Sequence, residues 1–335
     1  MMATANKNLI EKLDKIAERI GNTPVVQVEH EKINLYAKLE YTNFMGSVKA
    51  RAACAILRGA IESGEINQDT LVIESSSGNF AVAISAICNI LGIKFVAVID
   101  PHINKIYSRQ IRNFSHEVIT VDKKDINDGY LMTKLAEVKR YCESHDNTFW
   151  TNQYDNPNNF DAHYHGTGGE ICARFEQLDY AFIAVASCGT ISGVSSKLKA
   201  HYPGITIVGV DAEGSVIFGG KPRARLIPGM GSGMVPPLLQ RATVDEVVTV
   251  KETETLAACQ ELFYKHALYL GGSSGTAYGA VNLYFRDKQL EKRPNVVFIC
   301  PDRGTAYADN VYNPEWIESF HKKQEVLKQL EQGGK

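Results

Sequence analysis

The chain has 335 residues, of which 44% are hydrophobic, and it carries 36 basic against 38 acidic residues. This length predicts two globular domains, and balanced charge without a basic block argues against nucleic acid as a partner. The first twenty residues lack the apolar core of a signal peptide, and no apolar run approaches the roughly 20 residues of a membrane span. Seven cysteines at irregular spacings indicate reduced thiols. We therefore expect a cytoplasmic protein without a membrane partner.

Short β-branched runs alternate along the chain with longer helical patterns. In chain order, the predicted strands are residues 71–74, 95–99, 118–121, 182–186, 206–210 and 296–300. The predicted helices are residues 80–93, 129–144, 191–201, 253–266 and 276–287. Continuous apolar strands that alternate with helices are typical of parallel sheets covered on both faces. The pattern therefore predicts an α/β protein.

One lysine stands at an unusual place. Lys49 follows a Gly-Ser pair and opens a helix-forming run, which puts it in the first turn of a helix. The helix macrodipole favours cations in the last turn and not in the first. The position indicates a functional charge, with an ordinary surface lysine as the alternative.

Three predicted strand-to-helix junctions carry small polar residues, at 74–79, 186–193 and 271–276. In an open α/β sheet, ligands bind at the carboxyl ends of the strands, where backbone N–H groups of helix starts point at the ligand. The second junction is the best candidate phosphate cradle, because Gly189 allows close backbone approach while Ser187 and Thr190 add hydroxyl donors. Serine, glycine and asparagine also form ordinary caps and turns, so the junctions indicate a site only if they meet in one cleft.

Several motifs occur in a characteristic order. They are I-G-N-T-P-V-V-Q-V at 20–28, L-E-x-x-N-x-x-G-S-V-K-x-R at 39–51, S-S-G-N at 76–79, the glycine loop at 186–193, G-G-S-S-G at 271–275 and P-D-R-G-T-A-Y at 301–307. Over roughly residues 15 to 315 the chain resembles the fold-type II pyridoxal-phosphate enzymes of the cysteine synthase and cystathionine β-synthase group. The resemblance implies pyridoxal 5′-phosphate as cofactor, two open, twisted, mostly parallel sheets like those of the tryptophan synthase β subunit, and a homodimer.

The resemblance also implies where the domains divide. A smaller, mobile substrate domain is expected at residues 46–152, and a larger cofactor-binding domain at residues 1–45 plus 153–335. The polar stretch T-N-Q-Y-D-N-P-N-N at 151–159 separates two sets of predicted strands. Such a composition is typical of a loop, so this stretch is the predicted hinge.

Residue by residue, the resemblance implies a set of cofactor contacts. Lys49 forms the Schiff base with pyridoxal phosphate and, once freed by the substrate, removes the substrate α-proton. Asn79 lies beside the ring hydroxyl. Ser273 faces the pyridine nitrogen, where a neutral hydroxyl suits β-elimination better than transamination. The phosphate is held by four consecutive residues with Gly193 packed closely behind them: Ser187, Cys188, Gly189 and Thr190.

The substrate contacts are less completely specified. By resemblance, Ser76 and Ser77 bind the substrate α-carboxylate through hydroxyl and backbone N–H groups, and Gln153 supports the same carboxylate. Arg223 and Arg225 are predicted to bind an anion through the paired N–H donors of their guanidinium groups. That anion is either a phosphate on O-phosphoserine or the side-chain carboxylate of a glutamate, and a solvated charged loop is the alternative.

No metal site is predicted. His163 and His165 lie two residues apart, which on a loop is compatible with a metal pair. They lack a carboxylate or cysteine partner at ligand spacing. The following G-T-G-G is predicted to start a helix and not to form a phosphate loop.

Three further stretches narrow the resemblance: Y-L-M-T-K at 130–134, H-Y-H-G-T-G-G-E-I at 163–171 and G-V-D-A-E-G-S-V-I-F-G-G-K-P at 209–222. They resemble the branch that makes N-(2-amino-2-carboxyethyl)-L-glutamate, a precursor of 2,3-diaminopropionate in siderophore and antibiotic pathways. Phe80, where cysteine synthases commonly carry a threonine, favours the same branch. The implied reaction is β-replacement on O-phospho-L-serine through an α-aminoacrylate, with L-glutamate as nucleophile. The alternatives are a cysteine synthase that uses sulfide with O-acetylserine or O-phosphoserine, and a non-catalytic binding protein.

Overall fold

The computed structural model describes residues 2–126 and 129–333. Within them, helices and strands alternate around two separate sheets. The strands are β1 (Val25–Val28), β2 (Asn34–Lys38), β3 (Leu71–Ser75), β4 (Lys94–Ile99), β5 (Glu117–Thr120), β6 (Thr148–Trp150), β7 (Tyr180–Ala184), β8 (Thr206–Ala212), β9 (Glu246–Val250) and β10 (Asn295–Ile299). The helices are α1 (Met2–Ala17), α2 (Lys49–Ser63), α3 (Asn79–Leu91), α4 (Lys105–Phe114), α5 (Leu131–Ser144), α6 (Pro157–Asp161), α7 (Gly169–Arg174), α8 (Gly189–His201), α9 (Glu252–His266), α10 (Gly272–Phe285) and α11 (Pro314–Gly333). A π-helical segment (Ala162–Gly168) joins α6 to α7.

The larger sheet has six strands in the order β1-β2-β10-β7-β8-β9. β1 runs antiparallel to β2, and the other neighbouring pairs are parallel. Alternate residues of β8 enter different cores, with Val208 and Val210 on one face and Ile207 on the other. Burial on both faces explains the continuous apolar runs in the sequence, because neither face of such a sheet meets water.

The smaller sheet has four parallel strands in the order β5-β4-β3-β6. On one face, Val72 of β3 packs in a core that α1, α2 and α3 supply. On the other face, Ile73 packs against Val138 and Tyr141 of α5. The sheet is built from residues 71–150, and the larger sheet uses residues from both sides of that segment.

The structure confirms the predicted α/β class and each of the six predicted strands and five predicted helices, with ends displaced by a few residues. Strands β1, β2, β6 and β9 lie outside the predictions. The division into residues 1–45 plus 153–335 and residues 46–152 stays a prediction. Among the described helices, none is both long enough and apolar enough to cross a bilayer.

Candidate active site

A cleft opens where β7 and β10 end and where α2, α3, α8 and α10 begin. Strand ends and helix starts meet at one edge of a parallel sheet, which aims backbone N–H groups at a common point. The three polar stretches therefore do meet in one place, together with Lys49. The prediction of a strand before the third was wrong, because α9 and an isolated bridge at Leu270 precede α10. Six of the residues predicted to bind cofactor line this cleft: Lys49, Asn79, Ser187, Cys188, Thr190 and Ser273. Gly189 lies between two of them, at the first position of α8.

Lys49 is the first residue of α2, and its side chain reaches the start of α8. Its Nζ donates a hydrogen bond to Ser187 Oγ at 3.0 Å. Burial lowers the pKa of Lys49 to about 8, although Cys188 and Asp302 act in the opposite direction. A substantial fraction of this amine is therefore neutral near physiological pH, and the neutral form attacks carbonyls and accepts protons.

Covalent labelling of Lys49 in the cofactor-free protein should therefore increase through about pH 8, because only the neutral amine reacts with an acylating reagent. The extent of labelling is measured by peptide mass spectrometry across a pH series. Lys105 is the internal control, since it also opens a helix but is exposed. Labelling of both lysines with the same pH profile would contradict the prediction.

The start of α8 is shaped to receive an anion. Cys188 precedes the helix with φ 64°, a left-handed backbone that turns this helix start into the cleft. Glycine adopts that conformation more readily than cysteine. A Cβ on Gly189 would lie 2.1 Å from Asn159 Oδ1, so only glycine lets α8 approach α6 this closely. The helix dipole adds a favourable field for a phosphate group.

His163 supports this helix start from behind. The ring is fully buried, with Nε2 at 3.3 Å from Thr190 Oγ1 and Nδ1 at 3.1 Å from Thr167 Oγ1. Burial first, and then the charges of Lys49 and Arg51, lower the pKa of His163 well below its ordinary value. The ring therefore stays neutral and orients the Thr190 hydroxyl. Among residues 2–126 and 129–333, no three His, Cys, Asp or Glu side chains cluster at metal-binding distance.

Gly193 of α8 packs against backbone, as predicted, and an alanine there should destabilise the protein. Its Cβ would lie 2.4 Å from the Phe160 carbonyl oxygen and 2.6 Å from the Tyr164 nitrogen. Overpacking of this kind costs about 1–3 kcal/mol, which urea unfolding of Gly193→Ala would measure. The control is Gly279→Ala in α10, where the atoms nearest to the new Cβ lie at 3.5 Å. Alanine should raise the free energy of unfolding there by as much as about 1 kcal/mol, because it favours a helix more than glycine does. Equal stabilities of the two variants would contradict the packing argument.

Asn79, the first residue of α3, is held by a carboxylate from a distant part of the chain. Its Nδ2 donates to Asp302 Oδ2 at 2.7 Å, and the Tyr307 hydroxyl donates to the same oxygen at 3.1 Å. Burial raises the pKa of Asp302 to about 6, against the opposing effect of these hydrogen bonds. Asp302 was not among the predicted site residues. Its position in the P-D-R-G-T-A-Y motif was the available signal.

The predicted carboxylate-binding serines lie in the loop between β3 and α3. Ser76 Oγ accepts the backbone N–H of Ala81 at 3.3 Å. Ser77 Oγ donates to Asp100 Oδ2 at 2.6 Å and accepts from Lys134 Nζ at 3.2 Å. These hydrogen bonds fix the shape of the loop directly before Asn79. The role of both serines in substrate binding stays a prediction.

Gln153 is buried in the segment that leaves β6. Its backbone N–H donates to Glu74 Oε2 at 3.1 Å, and its carbonyl accepts from Asn159 Nδ2 at 2.6 Å. Glu74 is fully buried, and burial raises its pKa. The end of β3 and the predicted hinge are thus tied together through one carboxyl group.

Arg223 and Arg225 lie in the loop that follows β8. Arg223 Nη2 contacts Glu213 Oε2 at 2.7 Å, and both side chains are more than a third exposed. Arg225 Nη1 donates to the Gly214 carbonyl at 2.6 Å, and burial lowers the pKa of Arg225. Neither arginine is among the residues that line the cleft around Lys49. Their role as anion ligands stays a prediction.

A buried ionic network lies beside the lysine. Arg51 Nε contacts Glu40 Oε2 at 2.6 Å, Arg51 Nη1 contacts Glu170 Oε1 at 2.8 Å, and Lys38 Nζ contacts Glu170 Oε2 at 2.6 Å. Thr23 Oγ1 donates to Glu40 at 2.8 Å. Burial alone would raise the pKa of Glu170, but Arg51 and Lys38 lower it to about 2. The network joins three of the motifs quoted above, although none of its residues was predicted to have a role.

The residues of the cleft fit the functional groups of pyridoxal phosphate. An amine with a lowered pKa suits the aldehyde, and a helix start with hydroxyl donors suits the phosphate. The side-chain amide of Asn79 and the hydroxyl of Ser273 line the same cleft and suit the ring substituents. The individual assignments stay predictions, but each group of the cofactor finds a residue of suitable chemistry.

Comparison with known proteins also indicates an enzyme that uses pyridoxal phosphate. Residues 16–302 match the family described as pyridoxal-phosphate dependent enzyme. An O-acetylserine dependent cystathionine β-synthase from Helicobacter pylori is 26% identical, with 88% of this chain and 97% of that chain covered and a TM-score of 0.81. A hydrogen sulfide-producing enzyme from Fusobacterium nucleatum is also 26% identical, with 87% and 98% covered and a TM-score of 0.81. An O-ureido-L-serine synthase structure, 24% identical with a TM-score of 0.80 and 88% and 93% covered, shares the fold.

Fold and cleft together define a pyridoxal-phosphate enzyme with two mostly parallel sheets of the tryptophan synthase β type. The chain belongs to the family of pyridoxal-phosphate dependent enzymes, and its cofactor is pyridoxal phosphate. This family match covers residues that include Lys49, Asn79, Ser187 and Asp302.

Proposed function

We propose that the protein catalyses β-replacement on an O-activated L-serine. One observation carries the proposal: the Lys49 amine, with its pKa lowered to about 8, lies in the cleft at 3.0 Å from Ser187 Oγ. When bound, pyridoxal phosphate supplies an electron sink for the substrate α-carbon. The neutral amine of Lys49 accepts the substrate α-proton, the β-substituent leaves, and a nucleophile adds at the β-carbon. Lys49 then returns a proton to the α-carbon.

The other predicted site residues bind and orient the cofactor and the substrate in this proposal. Ser273 offers a hydroxyl and no carboxylate to the cofactor ring, which favours β-elimination over transamination. Ser76, Ser77 and Gln153 hold the substrate α-carboxylate. The phosphate lies at the start of α8, against Ser187, Cys188, Gly189 and Thr190, where helix dipole and N–H groups favour an anion.

For the substrates, we propose O-phospho-L-serine and the amine of L-glutamate, giving N-(2-amino-2-carboxyethyl)-L-glutamate. The support comes from the three sequence stretches at 130–134, 163–171 and 209–222. Phe80 adds to it, because the side chain packs in the core of the smaller sheet and no threonine hydroxyl follows Asn79. Arg223 and Arg225 are the proposed anion ligands. Such a product would supply 2,3-diaminopropionate, for example to siderophore synthesis.

The test combines two donors with two nucleophiles. The loaded enzyme is incubated with O-phosphoserine or O-acetylserine, each with glutamate or sulfide, and products are identified by mass. We expect N-(2-amino-2-carboxyethyl)-L-glutamate to form fastest from O-phosphoserine and glutamate. Cysteine as the only product would overturn the glutamate assignment and favour the second candidate, a cysteine synthase. The 26% identity to a cystathionine β-synthase and to a hydrogen sulfide-producing enzyme supports that candidate.

We further propose that the protein is a cytoplasmic homodimer in which residues 46–152 move toward the remaining residues when substrate binds. Interdomain interfaces generally permit such relative motion. Light scattering measures the mass in solution, and scattering profiles with and without O-phosphoserine measure compaction. A monomer, or an unchanged profile, would contradict the respective part of this proposal.

A further inference from the structure

Asp302 lies where three parts of the site meet. Through its backbone, Asp302 forms an antiparallel bridge with Ser47, and its carbonyl accepts the Gly271 N–H at 3.0 Å. The preceding Pro301 carbonyl accepts the Val48 N–H at 2.8 Å. Residues 301–302 therefore join the loop before Lys49 to the loop before α10.

The Asp302 carboxylate is buried, and only one of its two oxygens accepts hydrogen bonds. Oδ2 accepts from Asn79 and Tyr307, whereas Oδ1 is buried without a hydrogen-bond partner. A Cβ on Gly271 would lie 2.0 Å from Oδ1, so the first glycine of G-G-S-S-G makes room for this oxygen. Burying a carboxylate with an orphan oxygen is costly.

The hydrogen bond from Asn79 determines how its amide is oriented. A carboxylate only accepts, so the Nδ2 side of the amide must face Asp302. The carbonyl Oδ1 lies on the other side of the amide and is directed away from Asp302. Protonation of Asp302 would add a donor and remove this constraint, because the amide could then face it with either side.

The groups that face Asp302 come from several elements. Burial raises its pKa to about 6, and Lys49 opposes the rise by its charge. Burial and then the Asp302 carboxylate raise the pKa of Tyr107 from α4. Asp302 likewise raises the pKa values of the neighbouring Tyr307, Tyr312, Cys259 and Cys300 after the larger effect of burial. The raised pKa values keep these tyrosines and cysteines neutral. The charge that acts on Asp302 therefore comes from Lys49.

We propose that Asp302 is a positioning residue that fixes the orientation of the Asn79 amide beside the cofactor ring hydroxyl. The inference rests on the proposed place of Asn79 beside that hydroxyl. Asp302 itself does not touch the reacting atoms and acts through Asn79 and through its charge near Lys49.

The first measurement is the visible absorption spectrum of the cofactor-loaded protein between pH 5 and 8. We expect the wild type to show a spectral transition as Asp302 titrates, and Asp302→Asn to lack it, because an asparagine offers both donor and acceptor at every pH. Tyr307→Phe should move the transition to higher pH, since the carboxylate loses a hydrogen bond. Asp245→Asn is the control and should behave as wild type, because Asp245 pairs with Lys199 outside the cleft.

The second measurement uses the cofactor-free protein. Removing the Asp302 charge should lower the pH midpoint of Lys49 labelling by about one pH unit, because a nearby carboxylate favours the charged amine. An unchanged spectral transition in Asp302→Asn, or an unmoved labelling midpoint, overturns the proposal. Should Asp302→Asn fail to fold, an unmoved transition in Tyr307→Phe overturns it. A wild-type protein without a visible cofactor band overturns the proposed function instead, and the labelling midpoint then still tests the charge effect of Asp302 on Lys49.

Discussion

Replacing Lys49 by alanine should lower kcat by about 10²–10⁴-fold, the range that a positioned general acid–base group contributes. The physical reason is the loss of the amine with a pKa lowered to about 8, which no neighbouring side chain replaces at the start of α2. The visible band of the loaded protein should change as well, because the cofactor can no longer attach to this residue. Steady-state kinetics with O-phosphoserine and a spectrum of the loaded variant measure both effects.

The matched control is Lys105→Ala, which also removes a lysine from the first position of a helix. Lys105 is exposed and lies outside the cleft around Lys49, so its loss should leave kcat unchanged. A small alkylamine should partly restore the rate of Lys49→Ala, because it replaces the missing base. Full activity of Lys49→Ala would remove the basis for the proposed reaction.

The largest loss of stability is expected from Arg51→Met, which breaks the buried ionic network. Arg51 is 5% exposed and Glu40 is 0% exposed, and their closest contact is 2.6 Å. Removing one partner leaves a buried carboxylate without its cation, which costs about 3–5 kcal/mol. Urea unfolding of the cofactor-free protein measures the loss as a lower midpoint with an unchanged slope.

Arg58→Met in the same helix provides the comparison. Arg58 is 31% exposed and pairs with Asp14, which is 56% exposed, at 2.5 Å. Pairs in contact with solvent contribute only about 0.2–1 kcal/mol, so this variant should remain close to wild type. If Arg51→Met were no less stable than Arg58→Met, the network would not stabilise the fold.

The strands that the sequence predicts correctly are those whose own residues form a continuous apolar, β-branched run. β4 and β10 are apolar runs, and the predicted ranges 95–99 and 296–300 agree with them to within one residue at each end. β2 reads N-L-Y-A-K and has no such run, because its conformation depends on pairing with β10, where Val296 lies opposite Leu35. β6 has only three residues, which is too short for any periodicity to register.

The residues of the candidate site also divide into those that a local motif predicts and those whose role depends on distant contacts. Lys49, Asn79 and Ser273 were predicted because each belongs to a local motif at a helix start. Asp302 and Glu170 lie in quoted motifs too, yet their roles exist only through contacts 223 and 119 positions along the chain. Local patterns record which residue types a turn or helix start needs. They do not record which distant side chain a carboxylate will meet once the chain is folded.

The most direct measurement locates the covalent attachment of the cofactor. Borohydride reduction of the loaded protein makes the attachment permanent, and peptide mapping by mass spectrometry then identifies the modified lysine. We predict about one cofactor per chain, on the peptide that contains Lys49. Modification of a different lysine, or recovery of every lysine unmodified from a protein that binds the cofactor, would contradict the assignment of Lys49 as the attachment site.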